Sequence, residues 1–311
     1  MDSNHSHVVE LAHDFPPFLK IHKDGRPERY RLFGDIHPVH PGLDPATGVN
    51  TKDISVPYLP GVTARIFLPV EFSGDRGKLP LLVHYHGGGF CDGSPHDSAT
   101  HNYLTALVAE ASVVAVSIGY RVAPETPLPA AYKDSLMALV WLVGGENPDP
   151  WVSEHADLGR IFLAGDSVGA NIAHYVAIQA GVSSLTEKTG AKIIGLIIVH
   201  PFFGCEDDVQ NQLYYYLYPT SPGYDKDPKL NPSVDPDIHR IAAERVLVCV
   251  GERDWIKDRG LAYYETLSKS RWGGTVELEE DKGEEHCFHL FKRNETSSLL
   301  MKRVAEFVNR A

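Results

Sequence analysis

The chain has 311 residues, 43% of them hydrophobic and 23% charged, with a formal charge of −12. That composition suits a soluble globular protein with a sizeable core, and the acidic balance argues against nucleic acid or an anionic membrane surface as a partner, since both call for a basic face. No apolar run approaches the roughly 20 residues that span a bilayer, and residues 1–17 lack the basic and apolar regions of a signal peptide, so a cytoplasmic, reducing location is expected.

Residues 1 to about 45 are rich in Pro, His and charge and stand outside the alternation that follows. From there, short apolar runs alternate with helical patterns. Strands are predicted at 62–68 and 79–85, a helix at 98–110, a strand at 113–120 and a helix at 130–143. A strand at 161–164 leads to a helix at 168–180, and a further strand follows at 193–199. The stretch 207–234 interrupts the pattern with Tyr214, Tyr215, Tyr216 and Tyr218 and a loop rich in Pro, Gly and Asp. Long excursions of this kind in a compact domain are usually functional lids or else disordered, and the tyrosines suit either a packing surface or a pocket wall. A strand at 246–250, a helix at 258–269, a more polar strand at 276–280 and a helix at 297–309 complete the chain. In the last helix Leu299, Val304, Phe307 and Val308 form the expected buried stripe.

Continuous apolar strands suit burial on both faces of a parallel sheet. Their alternation with helices predicts an α/β fold with right-handed crossovers. Without repeats or an interdomain linker, residues 1–311 read as one domain. Cys91, Cys205, Cys249 and Cys287 are widely spaced and form no C-x-x-C pair, so neither a zinc site nor a disulfide framework is expected.

The first chemical signal is Gly165-Asp166-Ser167-Val168-Gly169, a G-x-S-x-G between a predicted strand and a predicted helix. A tight turn there lifts the serine Oγ clear of the sheet, and flanking glycines remove Cβ clashes. The pentapeptide alone is weak; its placement gives it weight. The second signal is His86-Gly87-Gly88-Gly89-Phe90 at the end of the strand 79–85. Consecutive glycines let backbone N–H groups approach a substrate carbonyl, and with the Val168 N–H they would make an oxyanion hole. A glycine-rich loop without function is the plainer alternative. His86 reads as a hydrogen-bonding organiser of the loop. A dinucleotide or phosphate site is set aside, because the G-x-G-x-x-G spacing and a Walker lysine are missing.

A nucleophilic serine needs a base, and the base an orienting acid, in the chain order Ser, Asp or Glu, His. Asp254 lies in the loop directly after the strand 246–250 and is preferred as the acid over Glu252. Asp258 is better explained as an acidic residue in the first turn of the next helix. Of sixteen histidines, His286 and His289 follow the last strand; His286 comes first and is preferred as the base, while His289 leads into Leu290-Phe291 and suits packing. No carboxylate–histidine cluster with metal-ligand spacing recurs, so no metal is expected.

These residues resemble the plant carboxylesterases of the hormone-sensitive-lipase-like group. The resemblance rests on H-G-G-G-F, on G-D-S-x-G-A-N-I-A-H from Gly165 to His174, and on His286-Cys287-Phe288-His289. It extends to Pro17-Phe18-Leu19-Lys20, Lys23-Asp24-Gly25-Arg26, Asp44-Pro45-Ala46-Thr47-Gly48-Val49, Tyr120-Arg121-Val122-Ala123-Pro124-Glu125 and Leu128-Pro129-Ala130-Ala131-Tyr132, nearly the whole chain. The resemblance implies an α/β-hydrolase fold with a mostly parallel central sheet flanked by helices. Its cap would come from residues 1–45 and an insertion at about 205–235. It also implies a triad of Ser167, Asp254 and His286, and an oxyanion hole at His86, Gly87, Gly88 and Val168. Val168 departs from the family, where a small residue is commoner; it keeps the N–H but narrows the acyl side.

The expected activity is hydrolysis of small to medium carboxylic esters in specialised metabolism, without cofactor, by a monomer or homodimer acting on a small-molecule ester. Lyases resembling this chain, such as 2-hydroxyisoflavanone dehydratases and alkaloid cyclases, offer a rival reading; serine rather than threonine at 167 favours hydrolysis. Gibberellin receptors are similar but lack the catalytic histidine, which His286 supplies here.

Overall fold

The computed structural model describes residues 10–30, 36–70, 77–145, 149–206 and 209–310. Parts of the expected cap, including residues 1–9, 31–35 and 207–208, lie outside that set.

Three short strands, β1 (Leu11–Phe15), β2 (Leu19–His22) and β3 (Pro27–Arg29), pair antiparallel in a small N-terminal sheet. The central sheet follows. Its strands are β4 (Leu43–Asp44), β5 (Val49–Ser55), β6 (Thr63–Pro69), β7 (Leu79–Tyr85), β8 (Val114–Gly119), β9 (Ala156–Asp166), β10 (Ile193–Val199), β11 (Arg245–Gly251) and β12 (Thr275–Asp281). They are ordered β12-β11-β10-β9-β7-β8-β6-β5-β4. Strands β7 to β12 pair parallel wherever they adjoin, and β4, β5 and β6 extend the sheet antiparallel through the β6–β8 pairing. This is an α/β-hydrolase fold with a mostly parallel sheet, as the resemblance implied.

The helices among the described residues are α1 (Ser98–Ala111), α2 (Ala130–Val143), α3 (Pro150–His155), α4 (Val168–Val182), α5 (Leu185–Thr189), α6 (Val209–Leu217), α7 (Lys257–Lys269), α8 (Phe288–Phe291) and α9 (Glu295–Asn309). Strand residues alternate between two apolar layers because successive side chains point to opposite faces. Val114, Val116, Leu196, Ile198, Val246 and Val248 pack against α2, α4 and α7. Ala115, Ile197, Val199, Leu247 and Cys249 pack against α1 and α9. The continuous apolar runs of the sequence thus have two faces to fill. Strand β12, more polar, closes one edge of the sheet.

Three differences from the sequence reading have clear causes. Leu299 is not in the buried stripe of α9: it is 56% exposed, whereas Leu300 is 1% exposed and packs with Val304, Phe307 and Val308. Helix α9 begins at a capping box, Asn294 accepting from the Ser297 N–H and Ser297 Oγ accepting from the Asn294 N–H. Positions 300, 304, 307 and 308 then form the inward face at helical spacing. The N-terminal region, which stood outside the strand–helix alternation, supplies β1 to β4, and the unpredicted β5 follows at Val49–Ser55. Strand β9 starts five residues before the predicted 161, through the polar Asp157-Leu158-Gly159-Arg160.

Candidate active site

Strand β9 runs into α4 through Ser167, whose backbone takes φ 54° and ψ −119°, a region that side chains disfavour. A Cβ on Gly165 would lie 2.3 Å from the Gly169 carbonyl, and one on Gly169 would lie 2.0 Å from the Tyr85 oxygen. Both glycines are therefore required for β9, α4 and β7 to meet. The Ser167 N–H donates to the Val199 carbonyl at 3.0 Å, and the Phe202 N–H donates to the Ser167 carbonyl at 3.0 Å, tying the turn to the end of β10. Downstream, Asn171 holds the Phe202 and Lys229 carbonyls and accepts from the Tyr132 hydroxyl.

The loops after β11 and β12 bring Asp254 and His286 to the same place. His286 Nε2 lies 3.0 Å from Ser167 Oγ, and His286 Nδ1 lies 2.8 Å from Asp254 Oδ2. The other Asp254 oxygen accepts from the Ile256 N–H at 2.9 Å. All three residues are buried, and the Trp255 ring covers His286 at 4.5 Å between centroids. Burial pushes the Asp254 carboxyl up, but its bond to His286 and their charge interaction more than offset this, so it sits below its ordinary value. Burial also holds the His286 imidazole below its usual range, against the opposing pull of Asp254. A neutral imidazole beside a carboxylate is the state a general base needs.

The other candidates fall elsewhere. Glu252 accepts from the Gly283 N–H and lies within 3.4 Å of Lys282 at the surface. Asp258 sits in the first turn of α7. His289 packs edge-on against Tyr103 at 4.8 Å, and burial drops its pKa to about 3.

The glycine loop after β7 passes beside this group. A Cβ at Gly87 would meet Asp166 Oδ2 at 2.4 Å, and Gly88, at φ +111°, would meet the Asp92 carbonyl at 2.1 Å. Asp166 is itself buried and faces His84 Nε2 at 3.3 Å. His86 stacks on Tyr120 at 4.2 Å and its Nδ1 contacts the Gly87 carbonyl at 2.7 Å; burial lowers its pKa to about 4. Val168 opens α4, where free N–H groups face outward from a helix start.

Two spaces meet at Ser167. A cavity of about 490 Å³ is bordered by His86, Gly87, Gly88 and His286 and also by Arg29, Tyr30, Asp92 and Asp97. A narrower space of about 90 Å³ lies among Phe90, Val168, Phe202, Leu213 and Tyr214. The tyrosine cluster therefore does both of the jobs considered: Tyr214 lines the narrow space, and Tyr216 packs 5.1 Å from the Phe15 ring of β1. Arg29, Tyr30, Asp92 and Asp97 went unread in the sequence. Asp97 is pushed up to about 6 by burial and by neighbouring Asp92, and nothing in its local sequence signals that.

One cluster has the residue types of a metal site: His200, His286 and Cys287 bring ligand atoms within 4.8 Å of one another. Its lone pairs are committed. His200 Nδ1 accepts from the Cys287 N–H at 2.7 Å, both His286 nitrogens are engaged, and burial pushes the Cys287 thiol well up, keeping its proton. These residues do not fit a metal ion.

Sheet order, elbow and loop positions together define an α/β hydrolase, and the family described as having the alpha/beta hydrolase fold matches residues 82–290. Among curated proteins, 2-hydroxyisoflavanone dehydratase of Glycyrrhiza echinata is 38% identical, with 96% of each chain covered. Probable carboxylesterase 2 of Arabidopsis thaliana is 40% identical, over 96% of this chain and 97% of that one. Among solved structures, a hyperthermophilic esterase from the archaeon Pyrobaculum calidifontis is 25% identical over 83% of this chain and 85% of its own, with a TM-score of 0.68. The chain belongs to the plant carboxylesterase family of α/β hydrolases, to which 2-hydroxyisoflavanone dehydratases are related. Among the described residues, no helix is long and apolar enough to cross a membrane.

Proposed function

We propose that the protein hydrolyses small to medium carboxylic esters through an acyl-enzyme intermediate on Ser167. The observation that carries this reading is the unbroken hydrogen-bond path from Ser167 Oγ through both nitrogens of His286 to Asp254. His286 Nε2 takes the Ser167 proton as Oγ attacks the ester carbonyl, while Asp254 holds Nδ1–H and stabilises the imidazolium. The N–H groups of Gly87, Gly88 and Val168 receive the developing oxyanion. His286 then gives its proton to the leaving alcohol, accepts one from water, and the same steps in reverse release the acid. The N-terminal sheet and α6, which meet at Phe15 and Tyr216, serve as the cap.

Turnover of p-nitrophenyl acetate and butyrate tests this. Ser167→Ala is expected to lower kcat by about 10³-fold or more while the protein stays folded; undiminished turnover in that variant would falsify the nucleophile assignment. A second reading, elimination in the same cavity, draws on the likeness to 2-hydroxyisoflavanone dehydratase. Dehydration of a 2-hydroxyisoflavanone with a higher kcat/KM than any ester tested would make it the better one.

A further inference from the structure

The parallel strands β9, β11 and β12 end at Ser167, near Asp254 and near His286. Strand β10 lies between β9 and β11 and delivers none of these groups. Its end carries His200, which is buried beneath them. We infer that His200 is a positioning residue: its Nδ1 lone pair holds the backbone immediately after His286, and so sets where the imidazole stands between Ser167 and Asp254.

The case starts from the backbone. Besides Ser167, two non-glycine residues here have positive φ, His200 at 47° and Cys287 at 52°. Cys287 directly follows His286, so its strained turn fixes the direction from which His286 enters the site. A conformation of that kind persists only where its surroundings hold it. The holding bond is Cys287 N–H to His200 Nδ1, at 2.7 Å. An N–H can only donate, so Nδ1 must present its lone pair, and the ring proton of a neutral His200 resides on Nε2, 3.9 Å from Asp281 Oδ2 at the end of β12.

His200 is itself anchored on both sides. Its own N–H donates to the Cys249 carbonyl of β11 at 2.8 Å, and the preceding carbonyl, of Val199, accepts from Ser167 N–H at 3.0 Å. One residue at the end of β10 therefore touches the strand of the acid, adjoins the bond that seats the serine, and grips the loop of the histidine. The tautomer matters as well. Nδ1 lies 3.7 Å from Asp254 Oδ2, the oxygen that accepts from His286. With a lone pair at Nδ1, His200 makes no claim on that oxygen and leaves it to His286.

This inference rests on Ser167, His286 and Asp254 being the reacting groups, and its test separates the two claims. Leucine keeps much of the volume and has no lone pair; asparagine places Oδ1 on Cγ, where histidine has Nδ1; glutamine places its amide one bond further out. His200→Leu is expected to lower kcat for p-nitrophenyl butyrate by about 10–100-fold, the scale of a small misplacement of a reacting group, with KM changed by less than about twofold. His200→Asn should recover most of that loss and His200→Gln should not. Amide hydrogen exchange at Cys287 should quicken in the Leu and Gln variants and stay slow in the Asn variant.

Equal kcat in the Asn and Gln variants, or Cys287 exchange as slow in Gln as in wild type, would overturn the inference, and both comparisons survive if the Leu variant fails to fold. A wild type without Ser167-dependent turnover would defeat the proposed function alone, since exchange at Cys287 needs no turnover.

Discussion

The two spaces that meet at Ser167 are unlike in size and chemistry. One is about 490 Å³, with Asp92, Asp97, Arg29 and Tyr30 on its wall. The other is about 90 Å³ and walled by Phe90, Val168, Phe202, Leu213 and Tyr214. An ester also has two unlike ends: under the proposed function the small apolar arm suits a short acyl chain, and the wide arm, where Phe18, Ile36, Leu290 and Phe291 share the lining with Arg29, Asp92 and Asp97, suits a bulkier alcohol of mixed polarity. If the proposed hydrolysis holds, the contrast teaches that selectivity would come from the loops, the N-terminal segment and α6 that line the two arms, while the sheet beneath serves either end equally.

The largest effect should come at the junction of the arms. Gly88→Ala adds a Cβ where φ is +111° and the Asp92 carbonyl stands 2.1 Å away. The loop must shift, and with it the N–H groups of Gly87 and Gly88, so kcat for p-nitrophenyl acetate should fall about 10²–10³-fold. A smaller change would show that the loop's amides are not needed in the reaction.

Next in size is a test of the narrow arm alone. Leu213→Trp fills that space from α6, and the kcat/KM ratio of butyrate to acetate should drop about tenfold. An unchanged ratio would place the acyl chain in the wide arm and reverse the comparison.

The smallest effect concerns charge on the wide arm. Asp97 is raised from an ordinary 3.8 to about 6 by burial and by Asp92. The folded protein therefore holds this proton more tightly than the unfolded chain. Stability from this group is present below about pH 4 and is lost as pH rises towards 6. Asp97→Asn should raise Tm by about 1–3 °C at pH 7, a modest figure because the group is partly exposed, and the gain should vanish by pH 4. A gain of the same size at both pH values would mean that the Asp97 charge is not its cause. If the alcohol sits beside Asp97, choline butyrate should be turned over with a higher kcat/KM than its uncharged 3,3-dimethylbutyl counterpart at pH 7, and Asp97→Asn should remove that difference.

Much of the sheet was readable because parallel strands buried on both faces need unbroken apolar runs. That signature is plain in Ile193–Val199 and Arg245–Gly251. It is absent where one face meets water or another short strand: Val49–Ser55 alternates weakly through Asn50, Lys52 and Asp53, and Leu11–Phe15 is mostly exposed. Leu300, four residues before Val304 and seven before Phe307, has the helical spacing that Leu299 lacks, so the strict period already favoured it over the residue chosen.

The site residues that the sequence singled out sit at strand ends, where the elbow motif and chain order narrow the choice. Asp254 and His286 stand together with Ser167, and Glu252 and His289 stand apart. His200 also ends a strand. It escaped notice because its partner is a backbone N–H at Cys287, and a single sequence carries no pattern for a side chain that grips another segment's main chain. Asp92 and Asp97 escaped for a related reason, since their proximity to Ser167 is created by the fold.

The left-handed backbone at Ser167 sets the reaction and the fold at odds in one residue. Glycine would occupy φ 54°, ψ −119° without the penalty a side chain incurs there, about 1–3 kcal/mol, so Ser167→Gly should melt higher than the parent while hydrolysing nothing. If Ser167 is the nucleophile as proposed, a lineage released from the need for its oxygen would drift towards a sturdier, inert molecule at this position.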